Sequence, residues 1–264
     1  MTGPTGTGGY APAAGAVSSQ TIVTDAAGLD AGLTTLPCGA PAYLAKPQGG
    51  QSLPVILIAQ EIFGLHEHIR DIARRFAKLG FLAIAPDYLI RYGDPLAAPD
   101  IDAIRAIVAR VPDAEAMAIF DDALAYAARH GGDASRAAAT GFCWGGRMVW
   151  LYAAHHPRLK ACIPWYGRLD GPHTPPQPSW PIDVAGALRV PTLGLYGGDD
   201  PSIPLELVAK MRERLAQAGA PAEIVVYDDA PHAFFADYRA SYRIGAAQDG
   251  WARMRAFLAA QGLS

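Results

Sequence analysis

From Leu53 onward, short apolar runs alternate with amphipathic stretches, and this predicts an α/β fold: a mostly parallel sheet with helices on both faces. Two further observations point the same way. The apolar runs are short and bounded by turn residues, as strands covered on both faces are. Hydrophobic residues make up 51% of the 264 and charged residues 18%, enough apolar material for a large core.

The elements follow in chain order. Residues 54–59 (P-V-I-L-I-A) read as a strand. Ile69, Ile72, Ala73, Phe76 and Leu79 recur at helical spacing, and Gly80 ends that helix. Residues 81–85 are a strand stopped by Pro86, and 101–110 and 115–129 are helices. A short strand at 137–140 leads to a helix at 147–156 and a strand at 159–164. Five prolines within 172–181 exclude regular structure and predict a surface loop. Strand 192–196, helix 205–218, strand 223–227 and helix 251–260 complete the series. No linker-like composition interrupts it, so residues 21–264 are expected to form one domain. The first 20 residues, rich in Gly, Ala, Thr, Ser and Pro and free of Lys and Arg, predict a disordered or loosely attached tail rather than a secretory signal.

Composition narrows the function. With 22 basic and 25 acidic residues the net charge is −3, which excludes a broad nucleic-acid footprint. No apolar run approaches the ~20 residues of a membrane span, so no membrane partner is expected. Three cysteines, Cys38, Cys143 and Cys162, make no disulfide framework, and a reducing, cytoplasmic setting follows as the expectation.

The strongest local signal is Gly141-Phe142-Cys143-Trp144-Gly145-Gly146, between a predicted strand and a predicted helix. G-x-nucleophile-x-G at such a junction is a nucleophile elbow, with cysteine in place of serine. Glycines allow the close backbone approach, and the helix N-terminus favours a thiolate. Considered alone, Cys143 would be a buried core cysteine; the flanking glycines and the strand–helix setting reverse that reading. A base and an orienting acid are then needed. In hydrolases of this architecture the chain order is nucleophile, acid, histidine, each after a strand. Gly197-Gly198-Asp199-Asp200-Pro201-Ser202-Ile203-Pro204 follows one strand, and Asp228-Asp229-Ala230-Pro231-His232-Ala233-Phe234-Phe235 follows the next. One of Asp199 and Asp200 is explained as a helix cap; two adjacent aspartates are explained less well.

These residues, together with Gln60-Glu61-Ile62-Phe63-Gly64 and Ala85-Pro86-Asp87-Tyr88, resemble the dienelactone hydrolase family over about residues 40–262. The resemblance implies the α/β-hydrolase fold and a Cys-His-Asp triad with no cofactor and no metal. By it, Cys143 is the nucleophile and His232 the base. The family pattern D-x-x-[VI]-P places the acid at Asp200 rather than Asp199. Glu61 becomes the carboxylate that governs the ionisation of the nucleophile, and the Ile62 and Trp144 backbone N–H groups become the oxyanion hole. The implied reaction opens an ester or lactone through a thioester. The rivals are a broad-specificity carboxylesterase and a non-catalytic small-molecule binder on a hydrolase scaffold. The expected assembly is a monomer or homodimer.

One departure stands out. Where the founding type of the family has an arginine for the substrate carboxylate, four residues after the histidine, this chain has Ala236. Weakened carboxylate recognition is therefore expected, unless Arg91 or Arg105 reaches the pocket. Trp165, Tyr166 and Phe234 are expected to line it. His66-Glu67-His68 places two histidines at i and i+2, on different helix faces, which argues against a metal site. Cys38 and Cys162 read as structural, and Arg70, Arg74, Arg75 and Lys78 as a solvated helix face.

Overall fold

The structure is a computed structural model that describes residues 21–264; the expected tail, residues 1–20, lies outside the described residues. Eight strands form one sheet: β1 (Leu29–Thr35), β2 (Pro41–Pro47), β3 (Leu53–Ala59), β4 (Leu82–Pro86), β5 (Gly132–Phe142), β6 (Ala161–Trp165), β7 (Thr192–Gly197) and β8 (Ala222–Tyr227). Their order across the sheet is β1-β2-β4-β3-β5-β6-β7-β8. β2 pairs antiparallel with β1 and β4, and every pairing from β4 to β8 is parallel. The helices are α1 (Glu67–Lys78), α2 (Ile101–Ala109), α3 (Asp113–Arg129), α4 (Trp144–His155), the one-turn α5 (Pro181–Val184), α6 (Leu205–Gln217) and α7 (Ile244–Ala260). Among the described residues, no helix is long and apolar enough to cross a membrane.

The apolar strand runs make the centre of the sheet. Val55, Ile56, Leu57 and Ile58 of β3, Ile163 and Trp165 of β6 and Leu195 of β7 are completely buried. Each aliphatic side chain of this kind contributes roughly 1.5–3 kcal/mol. The chain runs from β3 to β4 on one side and then returns to β5 on the other. A parallel sheet that reverses its order in this way opens a crevice at the carboxyl ends of its strands.

Two features escape the sequence reading. The β1–β2 hairpin has no β-branched run; it is an edge pair, and β1 alternates between half-buried and exposed positions. α7 begins at Ile244 rather than at residue 251, and the proline-rich stretch ends in α5, with Pro181 at its first position. Proline is well suited there, because a first-turn N–H has no helical partner to lose.

α4, which carries the candidate nucleophile at its N-cap, is pinned by a buried ion pair. Arg147 Nη1 and Nη2 donate to Asp113 Oδ1 and Oδ2 at 2.6 and 2.9 Å, and Nη2 also donates to the Ser179 carbonyl at 2.6 Å. The guanidinium lies 4.5 Å from the Trp180 ring centroid. One bidentate contact thus ties the first turn of α4 to the first turn of α3 and to the proline-rich loop. Asp113→Ala strands the buried guanidinium, so urea unfolding should show a loss of about 3–5 kcal/mol, with α4 and its N-cap loosened. A loss below 1 kcal/mol would show that the pair does not hold this helix.

Candidate active site

The turn from β5 into α4 is built by close approach. A Cβ on Gly145 would lie 2.3 Å from the Ala59 carbonyl oxygen, and one on Gly141 would lie 2.4 Å from that of Gly145. Only glycine lets α4 start this close to the end of β3. Cys143 is the residue at the bend, with φ 56° and ψ −116°, and it is half-buried. A non-glycine residue there stores about 1–3 kcal/mol of strain. Tyr166, at φ 37° after β6, and Ala233, at φ 59° beside His232, share the left-handed region. Three strained positions therefore converge on one place.

The loops after β7 and β8 are joined to each other. Gly198 N donates to the Tyr227 carbonyl at 2.8 Å, and Asp199 N to that of Ala230 at 3.0 Å. A Cβ on Gly197 would sit 2.1 Å from the Ala230 carbonyl oxygen. This backbone contact sets the acid and the histidine side by side. His232 Nδ1 lies 2.6 Å from Asp200 Oδ2, while Asp200 Oδ1 accepts from Ser202 N at 2.9 Å and from Ser202 Oγ at 2.6 Å. Asp200 is buried, whereas the neighbouring Asp199 is exposed and meets Ala230 only through its backbone. Burial opposes the charge on Asp200, but His232 and the Ser202 bonds outweigh it and keep the carboxyl below its usual range. Burial likewise opposes the imidazolium, yet the charge of Cys143 and the bond and charge of Asp200 raise His232 to about 10. The ring therefore keeps its proton through neutral pH.

Glu61 follows β3 and is 1% exposed. Burial pushes its carboxyl up, but His66, whose Nε2 lies 3.7 Å from Oε2, with help from the charges of His68 and Arg239, brings it down to about 2. Tyr238 Oη donates to its Oε2 at 2.7 Å. Among the described residues, neither the Ile62 N–H nor the Trp144 N–H has a hydrogen-bond acceptor in the protein, and Trp144 opens α4 where the helix dipole is positive.

Of the four residues expected to line the pocket, Tyr166 lies nearest the chemistry. Its ring meets His232 edge-on at 5.3 Å, and its buried hydroxyl has no partner among the described residues. Trp165 and Phe234 have no exposed surface and pack among Phe142, Phe235 and Tyr227. Trp165 supports the elbow through its carbonyl, which accepts the Cys143 N–H at 3.1 Å. Arg91 is spent elsewhere, on Glu115 and the Cys38 carbonyl, and Arg105 pairs with Asp102 at the surface. Burial raises the thiols of both Cys38 and Cys162, so neither favours a thiolate.

The cation that the sequence reading missed is Arg239. It is partly buried, lies 5.3 Å over the Phe63 ring, and is attracted by Glu61, Tyr238, Cys143 and Tyr166, which outweigh the effect of burial and raise it. Among the described residues it has no carboxylate within ion-pair distance. The turn closed by Arg239 N on the Ala236 carbonyl brings it there. Its distance in sequence from His232 follows no pattern that a linear reading tests.

The expected solvated face of α1 is also corrected. Arg74 and Arg75 are largely buried and bonded to Asp71, Asp237 and Glu67. His66 and His68 do not point apart. His66 is the extended N-cap of α1, not a helical residue, and its ring stacks on that of His68 with centroids 6.1 Å apart.

The bond between Asp200 and His232 yields a direct check. In NMR titrations of the His232 ring, Asp200→Asn should lower the apparent pKa by more than about one unit, and Asp199→Asn should leave it in place. The reverse pattern would assign the orienting role to Asp199.

Comparison with known proteins places this arrangement. Residues 40–262 match the dienelactone hydrolase family. A protein of Escherichia coli strain K12 described as "Putative carboxymethylenebutenolidase" is 51% identical over 251 residues, covering 93% of each chain. A Bradyrhizobium protein described as "Probable 2-oxo-3-(5-oxofuran-2-ylidene)propanoate lactonase" is 32% identical over 215 residues, 80% of this chain and 85% of that one. The crystal structure of a dienelactone hydrolase homologue from Klebsiella pneumoniae superposes with a TM-score of 0.85 at 52% identity, over 88% of this chain and 98% of that one.

Proposed function

The chain belongs to the dienelactone hydrolase family and is a hydrolase of ester or lactone bonds, and we propose that it works through a Cys143–His232–Asp200 triad and a thioester. The observation that carries this reading is Cys143 at the elbow, with the charge of Cys143 acting on His232 and the His232 ring bonded to Asp200. When substrate enters, the Cys143 thiol gives its proton to Glu61 and the thiolate attacks the carbonyl carbon. The Ile62 and Trp144 amides receive the oxyanion. Aligned donors of this kind are each worth about 3–4 kcal/mol in the transition state. His232 protonates the departing alkoxide, and the tetrahedral adduct collapses to the thioester. Water then loses a proton to His232 and attacks; the second adduct expels the thiolate, which recovers its proton from Glu61. The products are a carboxylic acid and an alcohol, joined in one molecule if the substrate is a lactone.

Arg239 extends the reading to the substrate. A guanidinium with no carboxylate within ion-pair distance among the described residues, and within electrostatic range of Cys143, suits a carboxylate carried by the substrate, and it would fill the role left empty by Ala236 from three residues further on. The names of the two relatives denote unsaturated lactones that carry an acid group, which supports the same substrate class over a broad carboxylesterase.

Two experiments test these roles. Cys143→Ala should abolish turnover of a lactone panel while the protein remains folded, and iodoacetamide should inactivate the enzyme by labelling Cys143; inactivation that maps to Cys38 or Cys162 would sink the assignment. A lactone with a free carboxylate should also exceed its methyl ester in kcat/KM. Arg239→Leu should cut that preference about tenfold or more. An undiminished preference in Arg239→Leu, or none in the wild type, would return the enzyme to the carboxylesterase reading.

A further inference from the structure

A buried carboxylate beside a nucleophile needs a counter-charge, and in this protein it has an unusual one. Glu61 has no arginine or lysine within ion-pair distance among the described residues; Arg239 acts on it only at longer range. Its nearest cation-forming group is the imidazole of His66, whose Nε2 lies 3.7 Å from Glu61 Oε2. His66 is buried and stacked on His68, and both rings lean on Tyr238, the tyrosine that donates to Glu61. Behind them, His68 Nδ1 lies 3.3 Å from Asp237 Oδ1, and Asp237 Oδ2 accepts from Arg75 Nη2 at 2.6 Å. Arg75 in turn bonds Asp71, which also takes Arg74 and the Thr24 N–H. The titratable groups that face Glu61 are therefore His66 and His68 at the start of α1, Tyr238 and Arg239 after β8, and Tyr166 after β6.

Asp237 has its arginine, and Asp71 has two. Glu61 depends on the stacked histidines. A carboxylate with no exposure and no cation would bind a proton at neutral pH. It would then be unable to accept one from the thiol.

We propose that His66 is a positioning residue for the hydrolysis: it keeps the Glu61 carboxylate ionised, and the His68–Asp237–Arg75 chain holds its ring in place. One proton passes from Cys143 Sγ to Glu61 in the reaction, and His66 acts only by keeping that acceptor empty. The proposal rests on the reading of Glu61 as the acceptor of the thiol proton, and the experiment separates the two.

Glu61 is to be titrated directly, by isotope-edited infrared or carbon NMR, in a Cys143→Ala background where no chemistry is needed. His66→Gln should raise its pKa by about two units or more, and His68→Gln should raise it by less in the same direction. With Cys143 restored, the acidic limb of kcat/KM against pH should move upward with it in His66→Gln, whereas damaged packing would lower the profile without displacing it. An unmoved Glu61 titration in both histidine variants overturns the proposal. A raised Glu61 pKa with an unmoved kinetic limb supports the role of His66 and overturns Glu61 as the proton acceptor. If His66→Gln does not fold, the His68→Gln titration decides alone.

Discussion

The approach of α4 to the end of β3, at a distance that leaves no room for a Cβ on Gly145, is the constraint on which the rest of the molecule depends. It forces Cys143 into a left-handed conformation, places it at a helix N-terminus, and leaves the Trp144 amide without an acceptor among the described residues. It also brings the loop that carries Glu61 and Ile62 against the elbow, because Gly145 meets Ala59 and Gln60. The strain is held in place by the Cys143–Trp165 backbone bond and by the Arg147–Asp113 pair one turn further along α4. A site that stores strain in this way needs a rigid frame, and the fully buried central strands supply it.

The second organising feature is the distribution of buried charge. Asp200, Glu61, Asp237 and Asp71 are all nearly inaccessible, and each carboxylate has its own device. Asp200 has an imidazolium and a serine. Asp71 and Asp237 have arginines. Glu61 has a tyrosine and a histidine pair, with Arg239 at longer range. Burial opposes the charge on Asp200, Glu61 and Asp237, and their partners outweigh it and keep them ionised. The loop Ala236–Arg239 shows the economy of this arrangement. Consecutive residues Asp237, Tyr238 and Arg239 serve the histidine chain, the Glu61 carboxylate and the guanidinium beside the nucleophile, in that order.

Much of the fold was legible because a doubly covered parallel strand must be apolar throughout. Residues 54–59 and 192–196 carry that mark, and both are strands paired on either side. The β1–β2 hairpin was not legible, since an edge pair is stabilised by its register against β4 rather than by its own sequence. The site divides in the same way. Cys143, Asp200 and His232 could be proposed from the sequence because each follows a strand in a set order, and turn residues mark those positions. Arg239 and the pair His66–His68 left no such mark: a cation serves wherever its long side chain ends, and His66 stacks on His68 only because it caps α1 in an extended conformation.

By itself, the sequence determined the alternation of strands and helices, the elbow glycines, and the placement of Cys143, Asp200 and His232 each after a strand, because each is a local steric or periodic requirement written into neighbouring residues. Tertiary structure alone decided the geometry and partners: Asp200 rather than Asp199 within reach of His232, Arg91 drawn away to Glu115, Arg74 and Arg75 buried rather than solvated, and the Arg239 guanidinium within electrostatic range of Glu61 and Cys143. The physical reason is that charge partners are chosen by distance across the fold, and the strength of their attraction is set by burial. Neither quantity exists until the strands have paired and the loops at their ends have closed on one another.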